Sequence, residues 1–139
     1  MNLQNYLEKG FKSVGNIVKD PTRFRRNGDV RIDITWNTGF NPVKKRGVYV
    51  IVDGYEVIRI GETLDMDDRF ECYTGTHTGP SNVSLRQSLE GYKSYGVYFF
   101  ELPVINLTED TTKGCFTKGL LTEYKNVTGK LPKLNKVIR

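Results

Sequence analysis

The chain has 139 residues, 37% hydrophobic and 27% charged, with a net charge of +5 and a pI near 9.2. This composition builds one modest core and excludes a disordered chain. No stretch approaches the ~20 apolar residues of a membrane span, and the polar start MNLQNYLEKGFK lacks a signal peptide's apolar run, so a cytoplasmic protein is expected. Two cysteines, Cys72 and Cys115, and one histidine, His77, exclude a disulfide scaffold, a four-thiolate zinc site and a histidine-rich metal centre. The cysteines read as core thiols.

Leu3, Tyr6, Leu7, Phe11 and Val14 recur at helical spacing and predict an amphipathic helix over residues 2–19, ended by Asp20-Pro21. Arg23, Arg25 and Arg26 precede an Asn27-Gly28 turn, and residues 31–36 alternate as a short strand. A loop then ends in Lys44, Lys45 and Arg46. The segment GVYVIVDGYEVIRIG, from Gly47, predicts a hairpin about Asp53-Gly54. Residues 65–73 read as a helix with Asp65, Asp67 and Asp68 in its first turn. His77 falls in the loop after it. Residues 84–95 read as a helix stopped by Gly96, and VYFFELPVI as a strand. Residues 117–128 form the last predicted helix, closed by Gly129 with Pro132 beyond. The order predicts an α+β fold: a small, mostly antiparallel three-stranded sheet flanked by helices, with an N-terminal helix and short strand added. Residues 1–45 read as an arm and 46–139 as the main domain.

The hairpin admits two registers. A plain Asp-Gly turn puts Tyr49 and Arg59 on opposite faces and buries Arg59 among valines. A one-residue shift gathers Val48, Val50, Val52, Ile58 and Ile60 on one side and pairs Tyr49 with Arg59 across the strands. The apolar pattern favours the shift. On the last helix, Phe116, Leu120, Glu123 and Val127 share one face, which would set a carboxylate in an apolar stripe. With Tyr124 carrying the stripe instead, Glu123 looks to water, the commoner arrangement. Arg69 shares a helical face with Met66, Phe70 and Tyr73, where a snorkelling arginine is commoner than a phosphate clamp. Tyr55 and Tyr73 read as packing residues.

Together these residues resemble the GIY-YIG nuclease superfamily. The first motif stands as Gly47-Val48-Tyr49 and the second, ten residues on, as Arg59-Ile60-Gly61 followed by Glu62-Thr63. Arg69 in DMDDRF matches the helix arginine, and LLTEYKNVTGKLPKLN matches the closing block through Glu123 and Asn135. The resemblance spans roughly residues 46–136. Two positions depart from it: Arg59 replaces a tyrosine, and Glu62 replaces a basic residue.

The resemblance implies hydrolysis of DNA phosphodiester bonds with one divalent ion, Mg²⁺ or Mn²⁺, on Glu123. It assigns Tyr49 to proton transfer and Arg69 and Arg59 to the phosphate, with His77 a candidate base and Gly47, Gly61 and Asn135 structural. A compact chain of this kind is similar to the stand-alone restriction-type or phage-type endonucleases. Double-stranded DNA is the expected partner, and cutting both strands requires a homodimer or two successive nicks. The basic clusters Arg23, Arg25, Arg26; Lys44, Lys45, Arg46; and Lys130, Lys133 are the expected DNA contacts. A catalytically silent nucleic-acid-binding or interaction protein on the same fold is the alternative.

Overall fold

The computed structural model describes residues 1–24, 30–74, 89, 94–102 and 115–136. Five antiparallel strands form one sheet in the order β2-β1-β5-β3-β4. They are β1 Lys12–Phe24, β2 Val30–Trp36, β3 Gly47–Asp53, β4 Glu56–Thr63 and β5 Ser94–Glu101. Three helices are described: α1 Leu3–Glu8, α2 Met66–Thr74 and α3 Cys115–Thr128. The expected three-stranded centre is β5-β3-β4, and β1 and β2 widen the sheet to five.

The helix predicted over residues 2–19 stops at Glu8. Asn2 caps it by accepting from the Gln4 amide at 3.0 Å, and Gly10, at φ +103°, turns the chain away. The chain then enters strand β1, whose spacing explains the difference. The pairing of β1 with β5 slips between Ser13 and Gly15, so Val14 and Ile17, three residues apart, enter the same core layer. A bulged strand thus imitates helical periodicity. Pro21, expected to stop a helix, lies instead where the β1–β2 ladder breaks between Asp20 and Phe24. Gly96, expected to end a helix, lies inside β5, where a Cβ would crowd the Val52 side chain at 2.9 Å. Of the helix predicted over residues 84–95, Leu89 is helical and Ser94 and Tyr95 belong to β5; the rest lies outside the described residues.

The β3–β4 hairpin takes neither simple register. Asp53 pairs with Glu56 across a Gly54-Tyr55 loop, and a bulge at Ile58 then moves Ile51 opposite Arg59 and Tyr49 opposite Gly61. Tyr49 and Arg59 still share a face, but they are diagonal neighbours rather than a direct pair. Ile58 crosses to the Tyr49 side, and Val57 takes its place among Val48, Val50, Val52 and Ile60. Tyr55, expected to pack, is 78% exposed on the loop.

The sheet separates two apolar layers. On one side α2 packs Met66, Phe70 and Tyr73 against Tyr49, Ile51, Ile58, Val97 and Phe99. On the other, Leu3 and Tyr6 of α1 and Leu121 and Tyr124 of α3 cover the valine face. The stripe of α3 is therefore Leu121 and Tyr124, while Val127 is 66% exposed. Gly129, at φ +82°, closes α3 as expected, its amide donating to the Lys125 carbonyl at 2.8 Å.

Tyr6 is fully buried in the α1–α3 layer, and its hydroxyl has no hydrogen-bond partner. Burial first, then the charges of Glu123 and Tyr124, push its pKa above the usual phenol range. Tyr6→Phe should therefore stabilise the fold by ~1 kcal/mol at neutral pH, because it removes an unsatisfied polar atom. An unfolded phenol titrates near ~10, so the stability that depends on a protonated Tyr6 is present below that pH and is lost as pH rises above it. The advantage of the phenylalanine variant should widen between pH 8 and 10.5 in urea unfolding. A variant less stable than wild type at both pH values would refute the orphan hydroxyl.

Candidate active site

The helix carrying Arg69 is anchored by its own first residues. The Asp65 carboxylate caps the Asp67 amide at 2.9 Å, and the Lys45 carbonyl accepts from the Met66 amide at 2.9 Å. These contacts occupy the donors at the start of α2 and set its angle over the sheet. Below it, Phe70 meets Trp36 and Tyr49 edge-on, with ring centroids 5.4 and 5.1 Å apart. Arg69 and Tyr73, four residues apart, project from the same side of the helix.

Tyr49 reaches them because of the residue opposite. A Cβ on Gly61 would collide with the ring and hydroxyl of Tyr49, so only glycine lets the ring lie across β4. At the end of that ring three groups converge. The Tyr49 and Tyr73 hydroxyls are hydrogen-bonded to each other, and Arg69 Nε donates to Tyr73 at 3.0 Å and to Tyr49 at 3.3 Å. The Arg69 guanidinium carbon also sits 4.6 Å from the Tyr73 ring centroid. Burial, followed by the neighbouring Tyr49, raises the Tyr73 pKa against the pull of Arg69 and Arg59, and so keeps this phenol protonated. Burial also works against the Arg69 charge, but the Tyr49 and Tyr73 oxygens outweigh it and its pKa rises. The cluster is thus a fixed cation joined to two phenols that share a hydrogen bond. Sequence reasoning misses Tyr73 as a site residue; its only signal there is the four-residue spacing from Arg69.

Arg59 lies on the Tyr49 face, and its charge acts on Tyr73. It donates from Nη1 to the Leu134 carbonyl at 3.0 Å, while its buried Nε has no hydrogen-bond partner. Asn135 borders the same strand: its side chain accepts from the Ile60 amide and donates to the Ile60 carbonyl, both at 2.9 Å. The Pro-x-x-Asn block therefore acts on the open edge of β4. Gly47 allows β3 to approach β5, since a Cβ there would strike the Phe100 carbonyl and the Phe99 ring.

Glu123 has a different setting. It sits on α3 in the layer opposite Tyr49, and Lys9 Nζ lies 3.1 Å from each of its carboxylate oxygens. Its side chain is 40% exposed. Glu62 pairs with Val48 and so also faces away from Tyr49. Asp67, Asp68 and Glu71 bring carboxylate oxygens within 4.8 Å of one another on the outside of α2.

Among the expected DNA contacts, Lys44 is exposed and takes the left-handed conformation at φ 57°. Lys45 lies 3.7 Å from the Glu101 carboxylate, and the Arg46 carbonyl accepts from Leu102 at 3.0 Å. Lys130 and Lys133 are exposed beyond α3. Arg23 lies on β1, whereas Arg25, Arg26 and His77 fall outside the described residues. Among the described residues, no helix is long and apolar enough to cross a membrane.

No family model matches the chain, and no curated protein matches it in sequence. Among solved structures it is similar to the restriction endonuclease Hpy188I in complex with product DNA. The TM-score is 0.56 at 18% identity, over 95% of this chain and 84% of that one. The likeness is one of fold.

Proposed function

We propose that this chain is a metal-dependent DNA endonuclease of the GIY-YIG type, with the Tyr49–Tyr73–Arg69 cluster at its centre. The observation that carries the reading is the convergence of Arg69 Nε on two mutually bonded phenols, reached through the gap at Gly61. The similarity in fold to a restriction endonuclease solved with DNA supports it. A planar guanidinium matches the geometry of phosphate oxygens and carries a charge that does not titrate near neutrality. Tyr73, kept protonated, donates to the Tyr49 oxygen, which leaves Tyr49 to pass a proton to or from the attacking water. Arg59 adds a second positive charge on this face.

The donor chemistry at Glu123 suits a hard divalent cation, since a half-exposed carboxylate already holds a compact cation on both oxygens. Glu123 would hold Mg²⁺ in exchange for Lys9, but it lies across the sheet from the Tyr49–Tyr73–Arg69 cluster, so an ion there would not act on a phosphate held at Arg69. The same ion pair favours the second reading, a protein that binds DNA without cutting it, because Lys9 already neutralises the carboxylate.

Plasmid conversion separates the two. Supercoiled DNA should become nicked or linear with Mg²⁺, remain intact with EDTA, and remain intact with Arg69→Ala. Wild-type protein that leaves plasmid untouched in Mg²⁺ and Mn²⁺ would sink the hydrolase. Full activity in Glu123→Gln would remove the metal from Glu123.

A further inference from the structure

After α3 the chain passes from one side of the sheet to the other. Leu131 packs into the valine layer, whereas Leu134 packs into the layer of Tyr49 and α2. Between them the backbone rounds β4, the edge strand of the sheet. It is held there at several points. Pro132 is buried and its carbonyl accepts from the Asn135 amide at 2.9 Å, while the Leu134 amide donates to the Ile58 carbonyl at 2.7 Å. The Asn135 side chain bonds to both backbone groups of Ile60. In the segment KLPKLNK every third residue is a lysine, and the residues between them supply these anchors. Lys130, Lys133 and Lys136 are all exposed, so three cations stand outward on a backbone fixed against the sheet.

This ridge leads into the site. Arg59 donates to the Leu134 carbonyl at 3.0 Å, and the charges of Arg59 and Arg69 both act on Tyr73. Residues 125–136 contain four lysines and no acidic residue, a net +4 beside +5 for the whole chain. The outside of α2 is opposite in sign, with Asp67, Asp68 and Glu71 holding carboxylate oxygens within 4.8 Å of one another. Lys45 adjoins the start of that helix and lies 3.7 Å from the Glu101 carboxylate. A polyanion is drawn to the β4 edge and repelled over α2. Cations on an anchored backbone also lose less freedom on binding than cations on a loose tail.

We infer that Lys130, Lys133 and Lys136 hold the phosphate backbone of duplex DNA along the β4 edge and lead it to Arg69. This rests on the DNA-binding part of the proposed function and is independent of hydrolysis. Of the basic clusters, the segment that closes over β4 is then the principal contact, with Lys136 added to it.

Binding of the full chain to a fluorescent duplex is measured in EDTA by anisotropy over a series of KCl concentrations. Lys133→Ser/Lys136→Ser is compared with Lys12→Ser/Lys19→Ser, which removes the same charge from exposed positions on β1, separated from β4 by β5 and β3. Urea midpoints check folding of both. The edge variant should bind about 30-fold more weakly near 0.1 M KCl, with a log–log salt slope shallower by about 1.8. Lys130→Ser, which leaves the anchored turn untouched, should lose about 5-fold by itself, with a slope shallower by about 0.9. The β1 variant should change affinity by less than about 3-fold. Equal losses in the two double variants, unchanged binding in the edge variant or in Lys130→Ser, or no wild-type binding would each overturn the inference. A chain that binds through these lysines but leaves plasmid intact would overturn the hydrolase and leave the edge contact standing. Plasmid cleavage with unchanged binding in the edge variant would do the reverse.

Discussion

Gly61→Ala should destabilise the protein by about 3 kcal/mol, lower its melting temperature by roughly 10 °C and abolish cleavage. The added methyl would occupy the space of the Tyr49 ring and hydroxyl. That ring has little room to withdraw, because Phe70 and Tyr73 flank it with centroids 5.1 and 6.2 Å away. The strand cannot easily retreat either, since Asn135 holds Ile60 on both sides of its peptide unit. Gly119→Ala supplies the contrast: a Cβ there meets no atom within 4 Å, and the site is inside α3, so this change should stabilise by up to ~1 kcal/mol. A double-mutant cycle with Tyr49→Leu identifies the cause. If the collision is with Tyr49, the pair should lose clearly less stability than the sum of the single changes. Additive losses in urea unfolding would place the strain elsewhere.

Arg69→Lys should reduce the cleavage rate at saturating DNA by about 10²- to 10³-fold, the scale for removing one preorganised donor from a charged transition state. Lysine preserves the charge but has neither the planar fork nor an Nε–H to bridge two phenols. DNA affinity should change by less than about 3-fold, because it draws on many cations. The folded state should lose no more than about 2 kcal/mol, the range for charge-assisted hydrogen bonds within a retained cluster. A lysine variant that cuts at the wild-type rate would reduce Arg69 to a simple positive charge. One that loses binding and cutting together would make it a contact rather than part of the chemistry.

The two variants test different levels of one arrangement. Gly61 determines whether Tyr49 can lie across β4, and Arg69 determines what its hydroxyl meets there. Both positions are readable from the chain alone. Glycine ten to fifteen residues after the first motif, within a β-rich hairpin, is a local pattern, as is an arginine behind three aspartates at a helix start. For the same reason α2, α3 and the position of the β3–β4 hairpin, though not its register, agree with the sequence reading: each depends on periodicity, capping and turn residues within a few positions.

What the tertiary structure alone decided involves residues distant in sequence, or a bulge that local spacing does not reveal. The slip at Val14 makes a strand resemble a helix, and the bulge at Ile58 moves Tyr49 from Arg59 to Gly61. Tyr73 reads as packing until its hydroxyl meets that of Tyr49, 24 residues away. Glu123 binds Lys9 across 114 residues, and Asn135 bonds to Ile60 across 75. Periodicity states which side of an element is apolar. It does not state which partner lies against that side, because the partner is selected by burial and by the need of each buried polar group for a hydrogen bond.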